Sequence, residues 1–70
     1  MEILIRENET YITLGQAMKK AGIASSGVEA KMLINDGMVM VNGEKELRRG
    51  RKLYNGDVFS YEGETVKVIK

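Results

Sequence analysis

Residues 13–43 read TLGQAMKKAGIASSGVEAKMLINDGMVMVNG, and the order of signals in this stretch decides the fold. Thr13 followed three residues later by Gln16 is a capping-box pattern. Leu14, Ala17, Met18 and Ala21 then recur at helical spacing, and Gly22 is a natural stop. Ser26 and Glu29 repeat the capping box and open a second helix, whose turns are populated by Val28, Ala30, Met32 and Leu33. Met18 and Met32 are expected in the core. Asn35–Asp36–Gly37 ends this helix, so two short helices joined by about four residues should form a compact pair crossing at a steep angle. From Met38 the period changes to two. Val39 and Val41 share one face, Met38 and Met40 the other, and Asn42–Gly43 is a strong hairpin signal.

Outward from this stretch the chain reads as strands. Glu2–Arg6 alternates around Ile3 and Ile5, and the segment after it is a polar turn. Beyond the hairpin, Glu44–Leu47 can return as the partner strand. Arg48–Lys52, around Gly50, reads as a loop or an irregular continuation of that strand. Leu53–Tyr54 leads into a second tight turn at Asn55–Gly56. Val58, Phe59 and Tyr61 form another strand, and Thr65–Ile69 closes the chain as the last. The expected class is α+β: two short helices packed on a small, mainly antiparallel sheet of about four to five strands. At 70 residues this is expected to be one domain over 1–70.

Composition narrows the function. Cysteine and histidine are both absent, which removes disulfides, thiolate metal sites, the commonest zinc ligand and the commonest general base near neutral pH. No serine has a histidine to activate it, no pair of acids stands out in an apolar setting, and the eight glycines form no dinucleotide or phosphate-loop fingerprint. A non-enzyme with no cofactor and no metal is expected. Glu2 precedes only a short apolar run, unlike a signal peptide, and no apolar stretch approaches the ~20 residues that span a bilayer. The expectation is a soluble cytoplasmic protein with no membrane partner and no small-molecule substrate.

The net charge of +1 conceals a polarised chain. Lys19 to Lys52 holds eight basic and four acidic residues, a balance of +4, whereas the flanks hold three basic and six acidic residues, a balance of −3. Such asymmetry points to a basic face for a polyanion. Its sharpest part is Arg48–Arg49–Gly50–Arg51–Lys52, where arginine forks suit phosphate and glycine admits a close backbone approach. Glu44 and Glu46 are placed to pair with Lys45 and Arg48 and dilute it. Ser25 and Ser26, at the start of the second helix, make an anion-friendly end with Lys31 one turn in. Lys19 and Lys20 close the first helix, where cations complement the helix dipole. Tyr11, Tyr54, Phe59 and Tyr61 are too scattered in sequence to suggest a base-stacking platform.

The succession Leu14–Ser26, Glu29–Ala30–Lys31, Leu33–Ile34, Gly37, Val39, Val41–Asn42–Gly43 and Gly56–Asp57–Val58 resembles the S-four RNA-binding domain family, over roughly residues 12–61. The Arg48–Leu53 stretch is similar to that of its small, stand-alone bacterial members of YaaA type. The resemblance implies an alpha-L motif, two helices and a hairpin that present one surface to structured RNA. It carries over Ser26, Glu29 and Lys31 at the second helix, and Asn42 and Gly43 at the turn. Thr13, Gln16 and Gly27 depart from it, standing where relatives often carry basic residues, as do Met38 and Met40. The basic run is expected to compensate by moving the footprint toward the later strands.

The expected activity is therefore non-catalytic binding of structured RNA, ribosomal RNA or tRNA, by a monomer associated with the ribosome or its precursor. The RNA-binding residues are expected to be Ser25, Ser26, Lys31, Asn42, Gly43, Lys45, Arg48, Arg49, Arg51 and Lys52. The alternative is a protein-interaction module that has lost most of its grip on RNA and docks a partner through Met38, Met40 or a sheet edge. DNA binding ranks lower, because no helix carries a readable set of Arg, Asn or Gln side chains.

Overall fold

The computed structural model describes residues 1–70. The chain runs β1 (Glu2–Leu4), β2 (Ile12–Thr13), α1 (Leu14–Lys20), α2 (Gly27–Asn35), β3 (Val39–Val41), β4 (Glu44–Lys45), β5 (Lys52–Leu53), β6 (Val58–Tyr61) and β7 (Glu64–Ile69). The α+β class holds, and the main sheet has five strands, as expected, with a small ribbon beside it. β1-β7-β6-β3-β4 form a five-stranded sheet in that order, and β2 and β5 form a separate two-stranded ribbon. Only the β1–β7 pair is parallel, joining the two ends of the chain; the rest of the sheet is antiparallel.

Both helices begin and end where their local chemistry dictates. Thr13 caps α1 in a full capping box: its hydroxyl accepts from the Gln16 N–H and the Gln16 side chain accepts from the Thr13 N–H. Each helix ends in a Schellman motif, with Gly22 N–H to Lys19 O and Ile23 N–H to Met18 O, then Gly37 N–H to Ile34 O and Met38 N–H to Leu33 O. The glycines at these two C-terminal positions have φ of 78° and 75°, the left-handed region that other residues enter only with strain.

The core gathers Ile3, Val39, Val41, Phe59, Val66 and Val68 from one face of the sheet, Leu14, Ala17 and Met18 from α1, Ala30 and Ile34 from α2, and Leu53 from β5. The alternation read at the hairpin holds: Val39 and Val41 are buried while Met38 and Met40 are exposed. The reading of α2 needs correction. Its buried stripe is Ala30 and Ile34, with Leu33 beside it, so Val28 and Met32 fall outside and stand 70% and 60% exposed. Met32 is thus no core residue. The return strand is also shorter than Glu44–Leu47. It ends at Lys45, although the Glu46 N–H still bonds the Val39 carbonyl at 3.0 Å; Glu46 is buried and Leu47 is left exposed. No helix is long and apolar enough to cross a membrane.

Candidate nucleic-acid interface

The basic run is built around one carboxylate. Glu46 is only 6% exposed, and it accepts five hydrogen bonds. Its Oε2 takes the N–H groups of Leu47 (3.0 Å) and Arg48 (3.1 Å) and the Arg48 Nε (3.0 Å). Its Oε1 takes Arg48 Nη2 at 3.1 Å and Arg51 Nη1 at 2.7 Å. Arg48 is thus held bidentate, the geometry that suits a guanidinium on a carboxylate. Hydrogen bonding by Arg48, reinforced by Arg51, outweighs the cost of burial and holds the Glu46 pKa down at about 2. The same partnership raises the Arg48 pKa further. Glu46 both neutralises one charge of the run and fixes the path of the loop that carries it.

The loop is anchored a second time, on α1. The N–H groups of Leu14 and Gly15, which a helix leaves without internal partners, donate to the carbonyls of Arg51 (2.8 Å) and Arg49 (3.0 Å). Gly15 allows this approach: a Cβ there would lie 2.7 Å from Arg49 Cγ. The pairing of Ile12 with Leu53 and of Thr13 with Lys52 extends the contact into the β2–β5 ribbon. The start of α1 and the basic loop therefore form one unit. Thr13, Gly15, Gln16, Lys19, Arg49 and Gly50 line a shallow groove that also reaches Gly27 at the start of α2. Arg48, Gly50, Arg51 and Lys52 line a neighbouring, more open depression.

The other expected residues divide. Ser26 caps α2, with Glu29 N–H on its Oγ at 3.1 Å, but the Glu29 carboxylate bonds the Ser25 N–H (2.9 Å) in place of completing the box on Ser26. An acid thus occupies part of the end proposed for an anion. Asn42 is engaged in structure: its Nδ2 donates to Asp57 Oδ1 (3.2 Å) and its Oδ1 accepts from Val58 N–H (3.0 Å), tying the hairpin turn to the start of β6. Gly43 completes that turn. The Lys45 side chain lies along Gly37, where its charge complements the C-terminal end of α2. Lys31 is exposed on α2 and lines neither depression.

Four features are not legible in the sequence. Glu46 reads there as a diluting charge, and its burial makes it the organiser of the run. Thr13, Gln16 and Gly27, departures from the family pattern, line the groove nonetheless. Lys19 reaches the same groove. Tyr11 and Tyr54, distant in sequence, come together with ring centroids 6.0 Å apart, which corrects the view that all four aromatics are scattered. Phe59 and Tyr61 do belong to the core and its margin. No group of acidic side chains is placed to hold a metal ion.

Residues 4–69 match the family model described as the S4 domain. A Bacillus subtilis (strain 168) protein carrying the name probable ribosome maturation protein RlbA is 52% identical over 52 residues, covering 74% of this chain and 73% of that one. The YbcJ protein of Escherichia coli (strain K12) is 34% identical over 59 residues, 84% of each chain. The solution structure of Escherichia coli YbcJ, titled as an alpha-L motif involved in RNA binding, superposes with a TM-score of 0.72 at 29% identity, covering 99% of this chain and 86% of that one. The fold, the groove between the two helix starts and these matches converge: the chain belongs to the S4 domain family.

Proposed function

We propose that this protein binds structured RNA without catalysing a reaction, and that it grips the phosphate backbone with the Arg48–Lys52 loop. The observation that carries this reading is the double anchoring of that loop, by the carboxylate of Glu46 and by the α1 N–H groups, which presents cations on a preorganised frame beside a groove. Arg48 keeps its side chain 72% exposed despite its pairing. Arg49, Lys52 and Lys19 add exposed charge. Relatives named for ribosome maturation and for an RNA-binding motif support an RNA of the ribosome or its precursor as the target; tRNA as a further target, and a monomer acting in the cytoplasm, complete the proposal. Ser25, Ser26 and Lys31 are secondary contacts in this proposal; Asn42, Gly43 and Lys45 act chiefly by shaping the hairpin.

Alanine at Arg48, Arg49 and Arg51 together should weaken RNA binding and flatten its salt dependence, by roughly 0.7–0.9 in the log–log slope for each phosphate no longer neutralised. A folded triple variant with the wild-type slope would overturn the assignment. The exposed apolar pair Val28 and Met32, with Met38 and Met40, favours a second reading, docking of a protein partner. Crosslinking in cells separates the two, since partners recovered without RNA support only the second.

A further inference from the structure

The register that pairs Ile12 with Leu53 and Thr13 with Lys52 sets Tyr11 opposite Tyr54 at the end of the β2–β5 ribbon. Strand alternation turns Ile12 and Leu53 toward the core and leaves Tyr11, Thr13, Lys52 and Tyr54 on the outer side. The two tyrosine rings meet at 6.0 Å with planes tilted by 52°, within the range aromatic pairs prefer. The Lys52 ammonium lies 4.9 Å from the centre of the Tyr11 ring, a cation–π contact that steers its charge to this end of the ribbon.

Tyr54 is held from behind yet open in front. Its N–H donates to Asp57 Oδ2 at 2.7 Å, its carbonyl accepts from Asp57 N–H at 3.0 Å, and Asp57 is in turn held by Asn42 at 3.2 Å. The Asp57 carboxylate is thereby committed to these partners. Glu9, which lines a depression together with Tyr11, lies 3.9 Å from Arg6. The pair leaves Tyr54 49% exposed and so available to a ligand. An open aromatic face on a rigid turn, next to Lys52 and Arg51, matches the repeating unit of a single-stranded nucleic acid: a π-face followed by an anion.

We propose that Tyr54, buttressed by Tyr11, is a stacking platform for an unpaired nucleobase, with Lys52 binding the adjoining phosphate. This deepens the RNA-binding reading and rests on it. It adds a preference for RNA with a single-stranded segment next to its helix, tolerant of which base is stacked.

The test uses a hairpin RNA with a short single-stranded extension and the same hairpin blunt-ended. The protein has no tryptophan and three tyrosines, so its own emission reports on the site. Wild type should bind the extended hairpin more tightly, with quenching of tyrosine emission. Tyr54→Leu should lose roughly 5- to 150-fold on the extended hairpin, the range that base stacking spans, and nothing on the blunt one. Tyr54→Phe should keep the wild-type preference. If wild type binds both hairpins equally, or if folded Tyr54→Leu keeps the preference, the platform is wrong while RNA binding stands. If wild type binds neither, both readings fall.

Discussion

At the start of α2 the helix is finished from within: the Ser26 hydroxyl takes the Glu29 N–H, and the Glu29 carboxylate folds back onto Ser25. At the start of α1 the local Thr13–Gln16 box is joined by the carbonyls of Arg49 and Arg51, delivered from the other half of the chain. Both ends carry the positive pole of a helix dipole. One spends it on its own acid, while the other uses it to seat a loop of four cations. In the proposed reading the family surface is asymmetric in this protein, with the strong grip on the α1 side and a self-satisfied end on the α2 side. The departures at Thr13, Gln16 and Gly27 fit that reading, in which the loop supplies the charge in place of the helices.

The sharpest way to break the asymmetry is Glu46→Gln. It removes the charge and replaces one of the two acceptor oxygens with an NH2 donor, so part of the set of two guanidinium groups and two N–H groups is left unpaired. The change should cost on the order of 1–3 kcal/mol of stability. In a domain of this size each kcal/mol lowers Tm by about 4–8 °C. RNA affinity should fall although the net charge rises by one; a rise in affinity would mean that Glu46 only neutralises. The pH dependence has a definite sign. The folded pKa of Glu46, about 2, lies below its ordinary value of 4.5. Its contribution is present above that ordinary value and is lost as pH falls toward the folded one. Denaturation midpoints of wild type and Glu46→Gln should therefore differ at pH 7 and converge as pH falls from 4.5 toward 2.

Ser26→Ala probes the other helix. It should cost about 1 kcal/mol through the missing cap while RNA affinity changes less than about threefold, since neutral groups at a helix end contribute little beside charge-assisted hydrogen bonds. A tenfold loss measured by titration would make the α2 start an equal partner in binding. Gly15→Ala should have the smallest effect on stability. Helix propensity favours alanine by up to about 1 kcal/mol, offset by the displacement of Arg49 that the new Cβ forces. RNA affinity should fall several-fold while Tm changes by only a few degrees, separating binding from folding. Unchanged affinity would show that the seat of Arg49 does not matter.

The sequence by itself determined the elements whose causes are local. Capping residues at Thr13 and Ser26, glycines where a helix must turn left-handed, and the two-residue alternation from Met38 all act within a few positions, so both helices and the hairpin were readable. The basic run was readable as charge, and the charge division showed which segment it belongs to. Sequence alone could not show what that run is attached to. Glu46 is buried where its N–H bonds the Val39 carbonyl of β3, and the seating of Arg49 and Arg51 on α1 and the meeting of Tyr11 with Tyr54 go with β2 pairing with β5. That pairing joins residues about forty positions apart, through two strands of two residues each. Strands so short leave no periodicity to detect. Likewise Met32 looked apolar enough for the core, and only the packing of Ala30 and Ile34 into that core decided which side of α2 faced water. Local patterns specified the parts; long-range hydrogen bonds and burial turned a run of cations into a positioned surface.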